Sequence, residues 1–279
     1  MMRRWLGLWL AAWCCGTAWA EDLPRPDHIV IVVEENRTYA QVIGNPEAPY
    51  INALAQRGAL LTQSHGVSYP SQPNYLALFS GSMHGVRDDA CPYALHGPNL
   101  AHALQEAGRS FVSYSESLPY PGYDDCSAPG GYRRKHNPVA NWAELAKLNQ
   151  PFSAFPQDFA QLPSVALVVP NQRNDMHDGS IATADGWLKQ HLAAYADWVM
   201  THNSLLIVTW DEDDYHSGNH IPTLLVGPMV RAGVQSAQPV NHYNILRTVL
   251  DMAGAQPVGA SADAQALGGI WRSVQEKAE

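Results

Sequence analysis

The chain has 279 residues, 46% of them hydrophobic, with 17 basic and 26 acidic side chains and a formal net charge of −9. Such a length fits one large domain better than two small ones. The acidic balance disfavours partners that are themselves polyanions: nucleic acid is excluded as the expected partner, and small substrates are favoured.

Arg3 and Arg4 open a segment whose apolar run from Trp5 to Cys15 ends in Ala18-Trp19-Ala20, a small-x-small cleavage signature. This reads as a signal peptide over 1–20, cut before Glu21, leaving a single domain over 21–279 in the periplasm or outside the cell. The run is short for a membrane span, and no later stretch of about 18 apolar residues replaces it, so no stable membrane anchor is expected. Bulky Trp13 before Cys14 is a poor fit to a lipoprotein anchor. Cleavage removes two arginines and no acids, leaving 15 basic against 26 acidic residues, a net −11. Cys14 and Cys15 leave as well, so Cys91 and Cys126 form the expected disulfide in an oxidising compartment. Neither has a CxxC neighbour, which argues against a metal site built on them.

Residues 28–33 are a continuous, β-branched apolar run, the pattern of a strand buried on both faces. At 71–81, a serine two residues ahead of a proline, then an apolar stretch ending in glycine, predicts a helix with Ser71 at its mouth. There Ser71 either caps the helix or faces an anion held by the helix N-terminus. Leu100, Ala103, Leu104 and Ala107 carry a helical period closed by Gly108. The stretch 119–163, rich in Pro, Gly and Tyr, reads as an excursion around the site. Within it Arg133-Arg134-Lys135 is either a local basic pocket or a solvated loop. Strands follow at 165–169 and 205–210, with a helix from Asp185 between them and a last helix after Asn241. Strands alternating with helices predict an α/β fold with a mostly parallel central sheet covered on both faces.

Ligands of such sheets bind beyond the carboxyl ends of the strands. Strand 28–33 runs into Glu34-Glu35-Asn36, strand 165–169 into the polar stretch Asn171 to Asp178 with His177, and strand 205–210 into Asp211-Glu212-Asp213-Asp214, then His216 and His220. One acidic strand end is a common turn. Three on one edge call for a cation, because crowded carboxylates need positive charge to offset their repulsion.

Four blocks then carry a family resemblance: Ile31 to Tyr39, Pro70-Ser71-Gln72-Pro73-Asn74-Tyr75-Leu76 through Gly81, Asn174-Asp175-Met176-His177-Asp178-Gly179, and Thr209-Trp210-Asp211-Glu212 with Asn219-His220-Ile221-Pro222. In this order they resemble the phosphoesterase family of secreted acid phosphatases and phosphatidylcholine-type phospholipases C, related to the alkaline phosphatase superfamily. The resemblance implies an alkaline phosphatase-like fold and one divalent metal ion held by Glu35, Asn36, Ser71, Asp211 and Glu212, with Glu34 the adjacent alternative to Glu35. It makes Ser71 the nucleophile, sets His177 and His220 beside the phosphate, and leaves Asp178 and Asp213 as supports behind the ligands. The implied activity is acid phosphatase hydrolysis of phosphate monoesters through a phosphoserine, with small phosphate esters as substrates, phosphoinositides included.

Three rivals are weighed against this. A carboxyl-ester hydrolase lacks its G-x-S-x-G elbow here. A non-catalytic metal-binding protein built on Asp211 to Asp214 lacks an EF-hand continuation, since Tyr215 and Ser217 break the ligand pattern. A phospholipase C-type phosphodiesterase is the nearest alternative, and the chain leaves no room for the added C-terminal domains of its larger relatives.

Overall fold

The computed structural model describes residues 23–273, so the segment expected as a signal peptide lies outside the described residues. Strands β1 (His28–Glu34), β2 (Ala59–His65) and β3 (Phe111–Ser115) are followed by a small hairpin, β4 (Ser127–Ala128) with β5 (Tyr132–Arg133). Then come β6 (Asn149–Pro151), β7 (Val165–Val169), β8 (Ser204–Trp210), β9 (His220–Val226), β10 (Val234–Ser236) and β11 (Val240–Asn241). The main sheet runs β10-β2-β9-β8-β1-β7-β3-β6, with β11 also alongside β2. Every pairing is parallel except those of β9, which is antiparallel to both β8 and β2. This is the expected mostly parallel α/β sheet.

The reversal at β9 explains where the acidic run sits. An antiparallel neighbour needs only a short connection, so residues 211–219 turn back at the sheet edge where β1 and β7 also end. β9 itself, like β2 and β3, is a strand that sequence pattern did not single out.

Alternation along β1 divides the core. Ile29, Ile31 and Val33 pack with α3 (Ser71–Ser80), α4 (Leu100–Glu106) and α6 (His242–Ala253), whereas Val30 and Val32 pack with α2 (Pro49–Arg57) and α5 (Ile181–Trp198). A strand buried on both faces has no polar side to alternate with, which is why β1 reads as an unbroken apolar run. One short helix, α1 (Tyr39–Val42), follows the first strand end. The last helix begins as expected after Asn241, whose side chain accepts from the Tyr243 N–H and caps it. Helix α5 starts four residues earlier than its apolar period suggested, because Ser180 supplies the N-cap.

The excursion 119–163 has little regular structure beyond the β4–β5 hairpin, β6 and short 3-10 turns. The expected disulfide Cys91–Cys126 is present, with a Cα separation of 5.7 Å. It ties the loop before α4 to the hairpin. Next to it Arg134 is buried, its guanidinium donating to the carbonyls of Asp124 and Tyr93 and to Asn141 Oδ1. Arg134 thus serves the fold of this excursion.

Candidate active site

Helix α3 is buried over its whole length. Its N-cap position is Pro70, which makes no side-chain cap, and Ser71 is the first helical residue. Asn74 organises the approach: its Oδ1 accepts from the N–H groups of Val67 and Ser68, and its Nδ2 donates to the carbonyls of Ser68 and Pro70. The Ser71 hydroxyl is therefore not spent on capping. It lies 3.2 Å from Glu35 Oε2 and 3.2 Å from Glu212 Oε1.

Those carboxylates come from two strand ends brought together by sheet order, since β1 and β8 are neighbours in register from His28–Ser204 to Glu34–Trp210. Asp211 continues the pairing, its N–H donating to the Glu34 carbonyl at 3.0 Å. The Asn36 N–H donates to Asp211 Oδ1 at 3.3 Å from a left-handed backbone, φ 50°. Strain of this kind at a non-glycine residue clusters at functional sites. Glu35 and Glu34 are both fully buried, but the pleat sends them apart: Glu35 receives the Tyr75 hydroxyl at 2.7 Å, while neither side-chain oxygen of Glu34 has a hydrogen-bond partner.

The third strand end adds Asp175 and His177. The His177 N–H donates to Asp175 Oδ1 at 2.8 Å, across a Met176 with φ 81°. Gly179 closes this turn where a Cβ would stand 1.8 Å from the Arg173 carbonyl oxygen, so no other residue fits. His177 Nδ1 pairs with Asp178 Oδ1 at 2.8 Å.

Two residues of the excursion, His136 and Lys135, complete the cluster. His136 is 2% exposed and sits with Nε2 3.1 Å from Glu35 Oε1 and Nδ1 3.4 Å from Asp175 Oδ2. Close as they are, neither His136 Nε2 nor Asp175 Oδ2 makes a geometrically sound hydrogen bond. Lys135 Nζ lies 2.8 Å from Asp89 Oδ2 and 3.3 Å from His177 Nε2. Asp89 Oδ1 accepts the Gln72 N–H at the start of α3, so Lys135 is anchored to the mouth of the helix that carries Ser71. The sequence signal was the basic run ending at Lys135, a pattern that is more often a solvated loop.

The remaining expected residues fall elsewhere. His220 stacks on Tyr39 at 4.7 Å and on His65 at 5.0 Å, and its Nε2 bonds the Thr62 carbonyl at 3.0 Å. Asp213 accepts the Tyr69 hydroxyl and the N–H groups of Tyr215, Ser217 and Asn219, so it shapes the 213–219 loop.

Electrostatics set what this cluster can hold. Burial pushes the carboxyls of Glu35, Asp175, Asp211 and Glu212 above the usual carboxylate range, and the charge of Asp211 adds to the rise at the other three. His136 is driven the other way, first by burial and then by Lys135, and stays neutral. A lone hydroxyl has one proton to donate, yet Ser71 faces two carboxylates, and the buried Asn36 Oδ1 and Asp211 Oδ2 have no partner at all. Oxygen donors left over in this way suit a hard cation. A second, overlapping group exists: ligand atoms of Glu35, His136 and His177 lie within 4.8 Å of one another. Both His177 nitrogens already have partners, Asp178 and Lys135, which favours the oxygen-rich set around Ser71.

A sequence profile described as the Phosphoesterase family matches residues 45–254. A phosphatidylinositol-3-phosphatase of Mycobacterium tuberculosis is 48% identical over 258 residues, covering 90% of this chain and 85% of that one. A phosphate-repressible acid phosphatase of Penicillium chrysogenum is 31% identical over 227 residues, covering 75% of this chain and 55% of the fungal one, so the chain spans about half of that relative's length. Among solved structures, a phosphonate monoester hydrolase from Silicibacter pomeroyi superposes with a TM-score of 0.56 at 15% identity, over 86% of this chain and 76% of that one. A Vibrio parahaemolyticus protein of the alkaline phosphatase superfamily gives 0.54 at 14% identity, over 87% and 70%. At such identities the structural likeness speaks for the fold alone.

Proposed function

As the chain belongs to the Phosphoesterase family and is a phosphoric ester hydrolase, we propose that it cleaves phosphate monoesters through a phosphoserine at Ser71, aided by one divalent cation. The observation that carries this reading is the Ser71 hydroxyl, free of capping duty, 3.2 Å from carboxylates of two different strand ends. Glu35, Asn36, Ser71, Asp211 and Glu212 are the residues that would hold the ion. Bound there, it would lower the pKa of the serine hydroxyl and draw charge from the phosphoryl oxygens.

Ser71 Oγ attacks phosphorus in line and passes its proton to the Glu212 carboxylate. The Oγ–P bond forms as the bond from phosphorus to the alcohol oxygen breaks. His177 in its charged form protonates the departing oxygen and, now neutral, takes a proton from the water that opens the phosphoserine, while the Oγ–P bond breaks and Glu212 returns its proton to Ser71 Oγ. Proton transfer is given to His177 rather than His220 because His177 stands beside Asp175 and Lys135 in the cluster, whereas His220 is held by Thr62, Tyr39 and His65. Lys135, held by Asp89, offers a fixed positive charge to the transferring phosphoryl group. Asp178 orients the His177 ring and Asp213 the loop behind Glu212.

The 48% identity with the mycobacterial phosphatidylinositol-3-phosphatase supports phosphoinositides among the substrates. Export of a single domain over 21–279 is supported by the Cys91–Cys126 disulfide, and no helix among the described residues is long and apolar enough to cross a membrane.

The Ser71→Ala variant tests the central step. It should keep the wild-type melting profile while losing p-nitrophenyl phosphate hydrolysis by about a thousandfold or more. Acid quenching of the wild-type enzyme during turnover should leave phosphate on the Ser71 peptide, detectable by mass spectrometry. Full activity in the variant overturns the covalent route. Rapid cleavage of the p-nitrophenyl phosphorylcholine diester with none of the monoester would reassign the enzyme as a phospholipase C-type phosphodiesterase.

A further inference from the structure

Two tyrosines border the cluster without belonging to it. Tyr69 lies two residues before Ser71 and Tyr215 three after Glu212, and their rings stack at 4.3 Å with planes 21° apart. Asp213 fixes both. Its Oδ1 accepts the Tyr69 hydroxyl at 2.5 Å and the Tyr215 N–H at 2.7 Å, and its Oδ2 accepts from Ser217 and Asn219. This single buried carboxylate holds Tyr215 at φ 70°, a backbone region unfavourable for a bulky side chain.

Tyr215 is nevertheless 58% exposed. Among the described residues Tyr120 is the one other large apolar side chain so exposed, and it packs edge-on against Tyr123 at 5.3 Å. Beyond its stacking on Tyr69, a strained backbone that leaves an aromatic ring this open to water points to a ligand for the free face. Its position says which part of the ligand. Three residues after Glu212 and stacked on Tyr69, itself two residues before Ser71, the ring borders the elements that carry the serine and its acids.

Resting on the reading of Ser71 as phosphoryl acceptor, we infer that the Tyr69–Tyr215 stack is a platform for the ring of the departing alcohol, and that Tyr215 determines a preference for ring-bearing over short open-chain leaving groups. The exposed tyrosine offers a π-face to a flat aryl group or to the C–H face of a cyclic polyol. The surrounding acids repel a leaving group that carries negative charge next to its ester oxygen, so the favoured ring is uncharged at that point. A two-carbon chain covers too little of the face to gain from it.

Equilibrium binding of phenylphosphonate and ethylphosphonate to the full chain, by calorimetry, tests this, because the P–C bond takes no part in the proposed hydrolysis. Tyr215→Ala should weaken phenylphosphonate by about five-fold and leave ethylphosphonate within about two-fold, while Tyr215→Phe, which keeps the ring, matches the wild type. Equal weakening of both ligands would mean that Tyr215 only supports the fold, and unchanged phenylphosphonate affinity would remove the platform; either result overturns the inference. Failure of the Ser71 reading is separable: it appears as turnover persisting in Ser71→Ala, with the ratio of the two affinities unaffected.

Discussion

Two histidine-bearing segments compete for the acidic edge of the sheet, residues 133–136 and 216–220, and the one farther in sequence from the acids at 211–214 reaches the site. His216 and His220 directly follow that acidic run. Yet His216 is largely exposed, and His220 opens β9 with its ring held by Tyr39, His65 and Thr62. Lys135 and His136, some 75 residues upstream of Asp211, approach Asp89, His177, Glu35 and Asp175. The difference teaches that closeness along the chain says little once a strand reverses. Beyond Asp211 and Glu212 the loop 213–219 is shaped by Asp213, whereas the excursion is pinned by a disulfide and a buried arginine so that its next two side chains meet the cluster.

The sharpest way to break this comparison is at Lys135. Lys135→Met removes the fixed charge beside the proposed phosphoryl site and should lower kcat/KM for p-nitrophenyl phosphate by about a hundredfold or more, the usual cost of one preorganised charge-stabilising group. An effect no larger than that at His220 would place the excursion outside the chemistry. Next is His136→Gln, which leaves Glu35 and Asp175 without their shared neighbour. Titration of divalent cation against activity should show the half-saturating concentration rising by about ten- to a hundredfold, as for residues that orient ligands.

His177 sharpens the comparison through pH. Burial lowers its pKa below the ordinary 6.5, so the charged form that donates a proton is lost as pH rises through a value under 6.5. The alkaline limb of the kcat profile should fall there, and His177→Asn should reduce activity by about tenfold and remove that limb. A limb that persists in the variant assigns the proton to another group. The smallest effect is expected at the other segment: His220→Asn should leave kcat/KM within about threefold while lowering stability by about 1 kcal/mol, from the lost stacking and the lost bond to Thr62, read by thermal melting. Loss of activity beyond that in a fully folded His220→Asn protein would return His220 to the catalytic group.

Much of the frame was legible in the residues. The apolar runs at 28–33, 165–169 and 205–210 became β1, β7 and β8 nearly to the residue, because strands buried on both faces cannot hide their pattern. The polar residues after them gathered at one edge because parallel neighbours end together. Ser71 was visible as a helix start, but its freedom from capping was not, since that depends on the hydrogen bonds Asn74 makes around the turn.

By itself the sequence determined the class of fold, the disulfide partners and the acids and serine proposed to carry the chemistry, since all of these follow from local pattern and residue type. Only the tertiary structure decided which basic groups stand among them, and that Glu34 and Glu35, neighbours in the chain, face opposite sides of the sheet. The physical reason is common to both. Side-chain direction and loop approach are set by pleat, strand order and long-range anchoring, which no short stretch of residues encodes on its own.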